Sequence, residues 1–236
     1  MKIALLSDIH GNLPALEAVW TDINKNLPDK IYNLGDSLYG PLWPEETAQF
    51  LIENKIESVL GNCDEDLLVQ EFKNINFEST FKQLSKSTIE WLRSLKKIII
   101  EDNITAFHAS PNHMSQYLIE KLKDGKVEIK LNEEIKKDIT GINTKFIACG
   151  HSHMARIVSI DNQIIINAGS VGLPSYTDDV PYHSMESFNN LAGYVLIDDN
   201  KISLNYISYD NIKSAEQAKK NNRPDWYKWL LTGRRD

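Results

Sequence analysis

Residues 3–12 read Ile3-Ala4-Leu5-Leu6-Ser7-Asp8-Ile9-His10-Gly11-Asn12, an apolar run that stops at a carboxylate and an imidazole two residues apart. Ile3 to Leu6 has the length of a short buried strand, and the polar stop marks where it leaves the core. On extended backbone residues i and i+2 point to one side, so Asp8 and His10 are expected to face a common point just beyond the sheet. A metal ion suits that point, while a loop cap or turn pair is the alternative for an isolated D-x-H.

The same pattern, a strand and then a polar stop, recurs four more times. Lys30 to Leu34 ends in Gly35-Asp36, and Ile56 to Leu60 ends in Gly61-Asn62-Cys63-Asp64. Ile104 to Phe107 ends at His108-Ala109-Ser110-Pro111, and Phe146 to Cys149 ends in Gly150-His151-Ser152-His153. Between the first strands, Asn12 is a candidate cap for a helix with Pro14 in its first turn and Leu16, Val19, Trp20 and Ile23 at helical spacing. Pro44 opens a second helix with Ala48, Leu51 and Ile52 on one face. Strand, loop and helix in this order imply right-handed β-α-β units with a ligand edge at the carboxyl ends of the strands.

Further along, Ser87-x-x-Glu90 reads as a capping box for a helix carrying Trp91, Leu92 and Leu95. Asp102-Asn103, Asp161-Asn162 and Asp199-Asn200 each sit between apolar runs and read as hairpin turns, so the sheets are expected to be mixed. Residues 115–140, rich in Lys and Glu, are expected to be helical and solvent-facing, and residues 175–190 to form a long polar loop. Trp226, Trp229 and Leu230 fall together on a short terminal helix expected to pack on the parent domain.

A chain of 236 residues can bury a full core, and one domain spanning 1–236, with a helical extension from about residue 211, is the expectation. The net charge of -7 leaves no surplus of Lys and Arg to neutralise nucleic acid or an anionic membrane, so neither is an expected partner. Two cysteines, Cys63 and Cys149, are too few for a disulfide framework and point to a reducing, cytoplasmic setting. Ile3 to Leu6 is far shorter than a signal-peptide core, and no apolar run reaches membrane-spanning length.

Asp8, His10, Asp36, Asn62, His108, His151 and His153 all lie at or just past the end of an expected strand. Imidazole with carboxylate suits manganese, iron or zinc better than calcium. Seven groups exceed what one ion needs but match two ions that share a carboxylate. Two ions roughly 3.5–4 Å apart clamp the attacking and leaving oxygens of a displacement and activate water near neutral pH. Hydrolysis of a phosphate ester is the implied reaction.

In order, Asp8-x-His10, Gly35-Asp36, Gly61-Asn62-x-Asp64, His108 and Gly150-His151-x-His153 resemble the calcineurin-like metallophosphoesterase superfamily. Asn167-Ala168-Gly169-Ser170-Val171 extends the resemblance toward its small bacterial and archaeal phosphodiesterase branch. The resemblance implies an α/β fold (α+β by some schemes), a four-layer αββα sandwich of two mixed β-sheets flanked by helices, with a dinuclear site at one edge. It implies that Asp8, His10 and His153 hold one divalent ion, that Asn62, His108 and His151 hold the other, and that Asp36 bridges them. Manganese is the first expectation, with iron, zinc, nickel, cobalt or magnesium as alternatives. The activity implied is phosphodiester hydrolysis of small phosphate esters or nucleotides by a metal-bridging hydroxide. A phosphomonoesterase or protein phosphatase, and a non-catalytic scaffold of the same fold, are the alternatives.

Many members carry a histidine after the motif asparagine, thought to assist the leaving group, where this chain has Cys63. A thiol with a reference pKa near 8.5 is a poor proton donor in its place, so Cys63 is read either as packed or as a catalytic candidate. Asn12 is a candidate to orient water or phosphate, or a helix cap; Asp64 is a candidate to orient a ligand histidine, or a cap. Arg156 is a candidate phosphate contact or a solvated arm, and His113 and His183 are candidates for the pocket mouth or plain surface residues.

Overall fold

The computed structural model describes residues 1–69, 75–101 and 103–236. Strand β1 (Lys2–Leu6) leads into α1 (Leu13–Asn26), β2 (Lys30–Asn33) into α2 (Pro44–Glu53), and β3 (Glu57–Ser58) into α3 (Asn62–Val69). Helices α4 (Ile75–Phe81) and α5 (Lys86–Ser94) precede β4 (Ile98–Glu101) and β5 (Ile104–Phe107). Next come β6 (Glu120–Lys123), β7 (Lys126–Ile129), α6 (Asn132–Asp138) and β8 (Phe146–Cys149). The last third holds β9 (Arg156–Ile160), β10 (Gln163–Asn167), β11 (Ser175–Asp179), β12 (Tyr182–Glu186), β13 (Ala192–Asp198) and β14 (Lys201–Ile207). Two helices, α7 (Asn211–Lys220) and α8 (Pro224–Thr232), follow them.

Two five-stranded sheets form the centre, in the orders β14-β13-β1-β2-β3 and β4-β5-β8-β10-β9. Both are mixed. β1, β2 and β3 are parallel while β13 runs antiparallel to β1; β5, β8 and β10 are parallel while β4 and β9 run antiparallel at the edges. Alternation along each strand sorts its side chains between layers. Ile3 and Leu5 meet Ile104, Ala106, Phe146 and Ala148 between the sheets. Ala4 and Leu6 face the other way, onto Leu16, Val19 and Ile23 of α1. On the far side, Ile147 and Cys149 pack on Ile135 of α6. Helix, sheet, sheet and helix stack as the four-layer αββα arrangement.

Local chemistry sets the boundaries. The Asn12 side chain accepts from the Ala15 N–H at the start of α1, and proline occupies the first turn of α1, α2 and α8. Gly233, in left-handed conformation at φ 64, closes α8. Helix α5 starts earlier than Ser87: the Ser85 hydroxyl accepts from the Thr88 N–H, and Glu45 of α2 accepts from the Ser85 N–H at 2.8 Å. The box is thus closed by a carboxylate from another helix, which a local pattern does not register.

Three more expectations change. Residues 115–140 are not one helical tract, because β6 and β7 form a hairpin there, turning at Asp124-Gly125 with φ 50 and 72, and only α6 is helical. Asp-Gly between short runs is the signal of such a turn. Nor is that tract wholly solvent-facing, since Leu118, Ile119 and Glu120 are buried. Residues 175–190 form the hairpin β11–β12 rather than a loop. Strand β3 is shorter than Ile56 to Leu60, and Val59 makes an isolated parallel bridge to Lys96. β4 and β5 pair as expected, but Asp102 of their turn lies outside the described residues. Among the described residues, no helix is long and apolar enough to cross a membrane.

Candidate metal centre

Five of the seven candidate ligands sit in left-handed backbone conformation: Asp8, His10 and Asp36 at φ 53, His151 at φ 67 and His153 at φ 59. The extended geometry expected for Asp8 and His10 is therefore wrong, although both side chains still turn to one centre. The loops after β1 and β2 are knitted by Asp8 N–H to Gly35 O at 3.0 Å, His10 N–H to Asp36 O at 3.0 Å and Gly11 N–H to Ser37 O at 2.9 Å. These bonds hold the chain in a conformation that costs non-glycine residues free energy. Glycines make room for the carboxylates. A Cβ on Gly61 would lie 2.1 Å from Asp36 Oδ1, and one on Gly150 would lie 2.7 Å from Asp8 Oδ2.

Two groups converge, Asp8 with His10 and His153, and Asp36 with His108 and His151. Asn62 joins the second, its Oδ1 2.9 Å from His108 Nε2. Asp36 reaches both: its Oδ2 lies 3.5 Å from His108 Nε2 and 4.0 Å from His10 Nε2, while its Oδ1 accepts from the Cys63 N–H at 2.9 Å.

The donor set fits cations on a structural ground. His10 Nδ1 faces Tyr39 O at 2.9 Å, His108 Nδ1 faces Leu34 O at 2.8 Å, and His153 Nδ1 faces Leu173 O at 2.6 Å. A carbonyl only accepts, so each Nδ1 carries a proton, and in the neutral tautomer each ring turns an Nε2 lone pair into the centre. There His10 Nε2 and His153 Nε2 face each other at 3.2 Å, and Asp8 Oδ1 lies 3.3 Å from His153 Nε2. Asp8 Oδ1 is buried without a hydrogen-bond partner among the described residues. Acceptors packed against acceptors need positive charge between them.

In the protein alone His10 and His151 favour the neutral form, whereas His108 holds a proton beside Asp36 that a bound cation would displace. Burial pushes the Asp8 and Asp36 carboxyls up, but histidines beside each, His153 for Asp8 and His108 for Asp36, outweigh it and hold both below the ordinary range. Burial, with His153 beside one and His108 beside the other, lowers His10 and His151 to about 4. Burial works against charge on His108 too, yet Asp36 and Asp8 raise it to about 9. Burial and Asp36 push the Cys63 thiol well up, so it stays neutral.

The remaining candidates divide. Among the described residues Asp64 has no hydrogen bond to a histidine; its carboxylate accepts from the N–H groups of Ser37, Leu38 and Gly61 and pins the Asp36 loop to the start of α3. Asn12 is consumed by Ala15 N–H, Ser214, Gly172 O and Tyr209, tying α1 to the terminal segment. Arg156 is paired through Nε to the buried Glu120 at 2.7 Å. His113 is exposed. His183 is buried rather than superficial: its Nδ1 donates to Pro181 O and its Nε2 accepts from the Tyr117 hydroxyl at 2.7 Å.

Sequence reasoning missed Tyr117 and Tyr176, whose hydroxyls lie 2.5 Å apart and whose rings pack on His151 (4.9 Å between centroids) and His153 (4.6 Å). It also missed Arg223 at the cavity wall. No motif announces these residues, and only the pairing of β11 with β12 was there to be read from the alternating pattern. The centre opens into a cavity of about 290 Å³ flanked by Tyr39, Phe77, Cys63, Trp226 and Arg223.

The family model for the calcineurin-like phosphoesterase superfamily domain matches residues 1–187. The chain is 30% identical over 255 residues to the uncharacterized protein MJ0912 of Methanocaldococcus jannaschii, covering 95% of this chain and 94% of that one. A metallophosphoesterase from Sphaerobacter thermophilus superposes with a TM-score of 0.78 at 23% identity, covering 99% of each chain. The hypothetical protein PH1004 from Pyrococcus horikoshii OT3 superposes with a TM-score of 0.76 at 18% identity, covering 100% of this chain and 99% of that one.

Proposed function

The chain belongs to the calcineurin-like phosphoesterase superfamily, a metal-dependent family of phosphoester hydrolases, and from that premise we propose that it is a phosphodiesterase with a dinuclear centre. In this reading Asp8, His10 and His153 hold one divalent ion and Asn62, His108 and His151 the other, with Asp36 between them. The observation that carries it is the inward convergence of imidazole Nε2 atoms, on rings whose Nδ1 faces a backbone carbonyl, on two buried carboxylates. Manganese is the proposed metal, since the mixed nitrogen and oxygen donors suit it. Bound there, two ions would supply positive charge to the phosphoryl oxygens and an activated water.

The protein's own part is orientation. Backbone carbonyls of Leu34, Tyr39 and Leu173 fix three ring tautomers, and the Cys63 N–H fixes the Asp36 carboxylate. Cys63 lines the cavity as a neutral thiol, a weak acid for a poor leaving group, so aryl and nucleotide leaving groups suit the site better than simple alkoxides. Two free cysteines accord with a cytoplasmic setting. The test is elemental analysis of purified protein together with turnover of bis(p-nitrophenyl) phosphate and p-nitrophenyl phosphate in manganese. About two ions per chain and a faster diester reaction, both lost in His108→Ala, are expected. Turnover that survives chelation would end the reading.

A further inference from the structure

A second cavity, of about 480 Å³, adjoins the first on the other side of the centre. Both are lined by Asn62, His151 and Asp178, so they meet over the second ligand group. The divider between them is the β11–β12 hairpin. Its Asp178 touches both cavities, its Thr177 faces the first, and its Val180 and His183 face the second. Tyr176 and His183 of the hairpin bond through the Tyr117 hydroxyl, and the Tyr176 hydroxyl lies 3.3 Å from His151 O. The wall is thereby fastened to the ligand loop itself.

We propose that these are two arm-binding chambers, one for each organic substituent of a phosphodiester whose phosphorus sits at their junction. The proposal rests on the phosphodiesterase reading and specifies its substrate class. A monoester has one substituent and leaves one chamber empty, whereas a diester fills both. Charge restricts the arms further. In the first chamber Asp66, Asp178 and Asp179 stand against one cation, Arg223, which is already paired with Asp225. In the second, Lys121 and Lys130 are each spent on an acid, Glu134 and Asp138. Neither chamber offers surplus positive charge, so neither arm is anionic, and the aromatic walls of the first suit a planar one. In the reaction the oxygen of water forms a bond to phosphorus and the ester bond to one arm breaks. That arm leaves as its alcohol or phenolate, the released proton going to the leaving oxygen or to solvent, and the other arm stays on the monoester product.

Two filling variants test this, Thr177→Trp for the first chamber and Gln116→Trp for the second; neither residue is among the ligands. Each is assayed with manganese on bis(p-nitrophenyl) phosphate and p-nitrophenyl phosphate, after metal content has shown the centre intact. Each variant is expected to raise KM for the diester by about tenfold or more, and one of the two, the one that fills the chamber opposite the leaving group, is expected to leave the monoester unchanged. Equal effects on both substrates from both variants, or no effect from either, would overturn the two-chamber assignment while leaving the diesterase reading standing. Wild-type protein that turns over no diester would overturn both. A measurement without variants gives a second route: replacing one aryl arm by methyl, in methyl p-nitrophenyl phosphate, is expected to lower kcat/KM by about tenfold beyond the change in intrinsic reactivity. Parity after that correction overturns the proposal.

Discussion

His10 Nε2 and His153 Nε2 stand 3.2 Å apart, each ring turned so that its protonated Nδ1 meets a backbone carbonyl and its lone pair meets the other lone pair. The contact is unfavourable in the protein alone and favourable around a cation, so stability should depend on metal. At a metal concentration ~1,000 times Kd the folded state gains about 4 kcal/mol. For a chain of this length that is a rise in Tm of roughly 10 °C, readable by calorimetry with and without chelator. In His153→Phe the opposing lone pair is gone, so the chelated form should melt no lower than wild type while the metal-induced rise shrinks. A chelated variant well below wild type would show that the ring is held for packing alone.

Glycine at two positions is dictated by the carboxylates beside it. Gly150→Ala would place a methyl group 1.8 Å from Ser7 Oγ and 2.7 Å from Asp8 Oδ2, displacing the loop that carries His151 and His153. Metal content should fall below one ion per chain and diesterase activity by about 100-fold or more, as expected of a misplacement near 1 Å. Retention of two ions with full activity would contradict the packing.

Tyr117→Phe keeps the ring on His151 and removes the hydroxyl shared by Tyr176 and His183. His183 is 5% exposed, so its Nε2 loses its partner in a buried site, a cost of about 1–3 kcal/mol. Metal content should be unchanged while KM for the diester rises more than kcat falls, because the dividing wall loosens and the ligand shell does not. Equal loss in both parameters together with lost metal would assign the tyrosine to the centre instead.

The strand-and-stop pattern made most of this legible. Ile3 to Leu6 and Phe146 to Cys149 are apolar in every position because both faces of each sheet are covered, and their ends deliver the ligand loops. What stayed hidden has a common cause. Tyr117, Glu120 and Arg223 carry no local pattern, since their surroundings come from partners far along the chain, such as Tyr176, Arg156 and Tyr39. The Lys- and Glu-rich composition around β6 and β7 masked an Asp-Gly turn. Left-handed backbone at Asp8 and His10 was equally invisible, because it is imposed by bonds to Gly35 and Asp36 rather than by residue type.

Glu120 provides a pH signature away from the centre. Burial raises its carboxyl above the ordinary glutamate value, and the Arg156 pair offsets this only in part; its Oε2 has no hydrogen-bond partner among the described residues. With a raised folded-state pKa, the folded form binds the proton more tightly than the unfolded form. This group therefore costs stability above its folded pKa, and the cost fades as pH falls toward the unfolded value. Glu120→Gln, which keeps an acceptor for Arg156, should melt above wild type at pH 8, with the gap closing near pH 4. A gap that is constant across that range would remove ionisation from the explanation.

Asp8, His10 and Asp36 hang from the sheet that contains β1 and β2, while His108, His151 and His153 hang from the sheet that contains β5 and β8. Each ligand group draws on both sheets. Ions in these positions would act as rivets through the seam of the sandwich, so that the two halves could no longer slide or part independently. The apolar layer would then be clamped at one rim, and the opposite rim, away from the ligand loops, is where the sandwich would first begin to breathe.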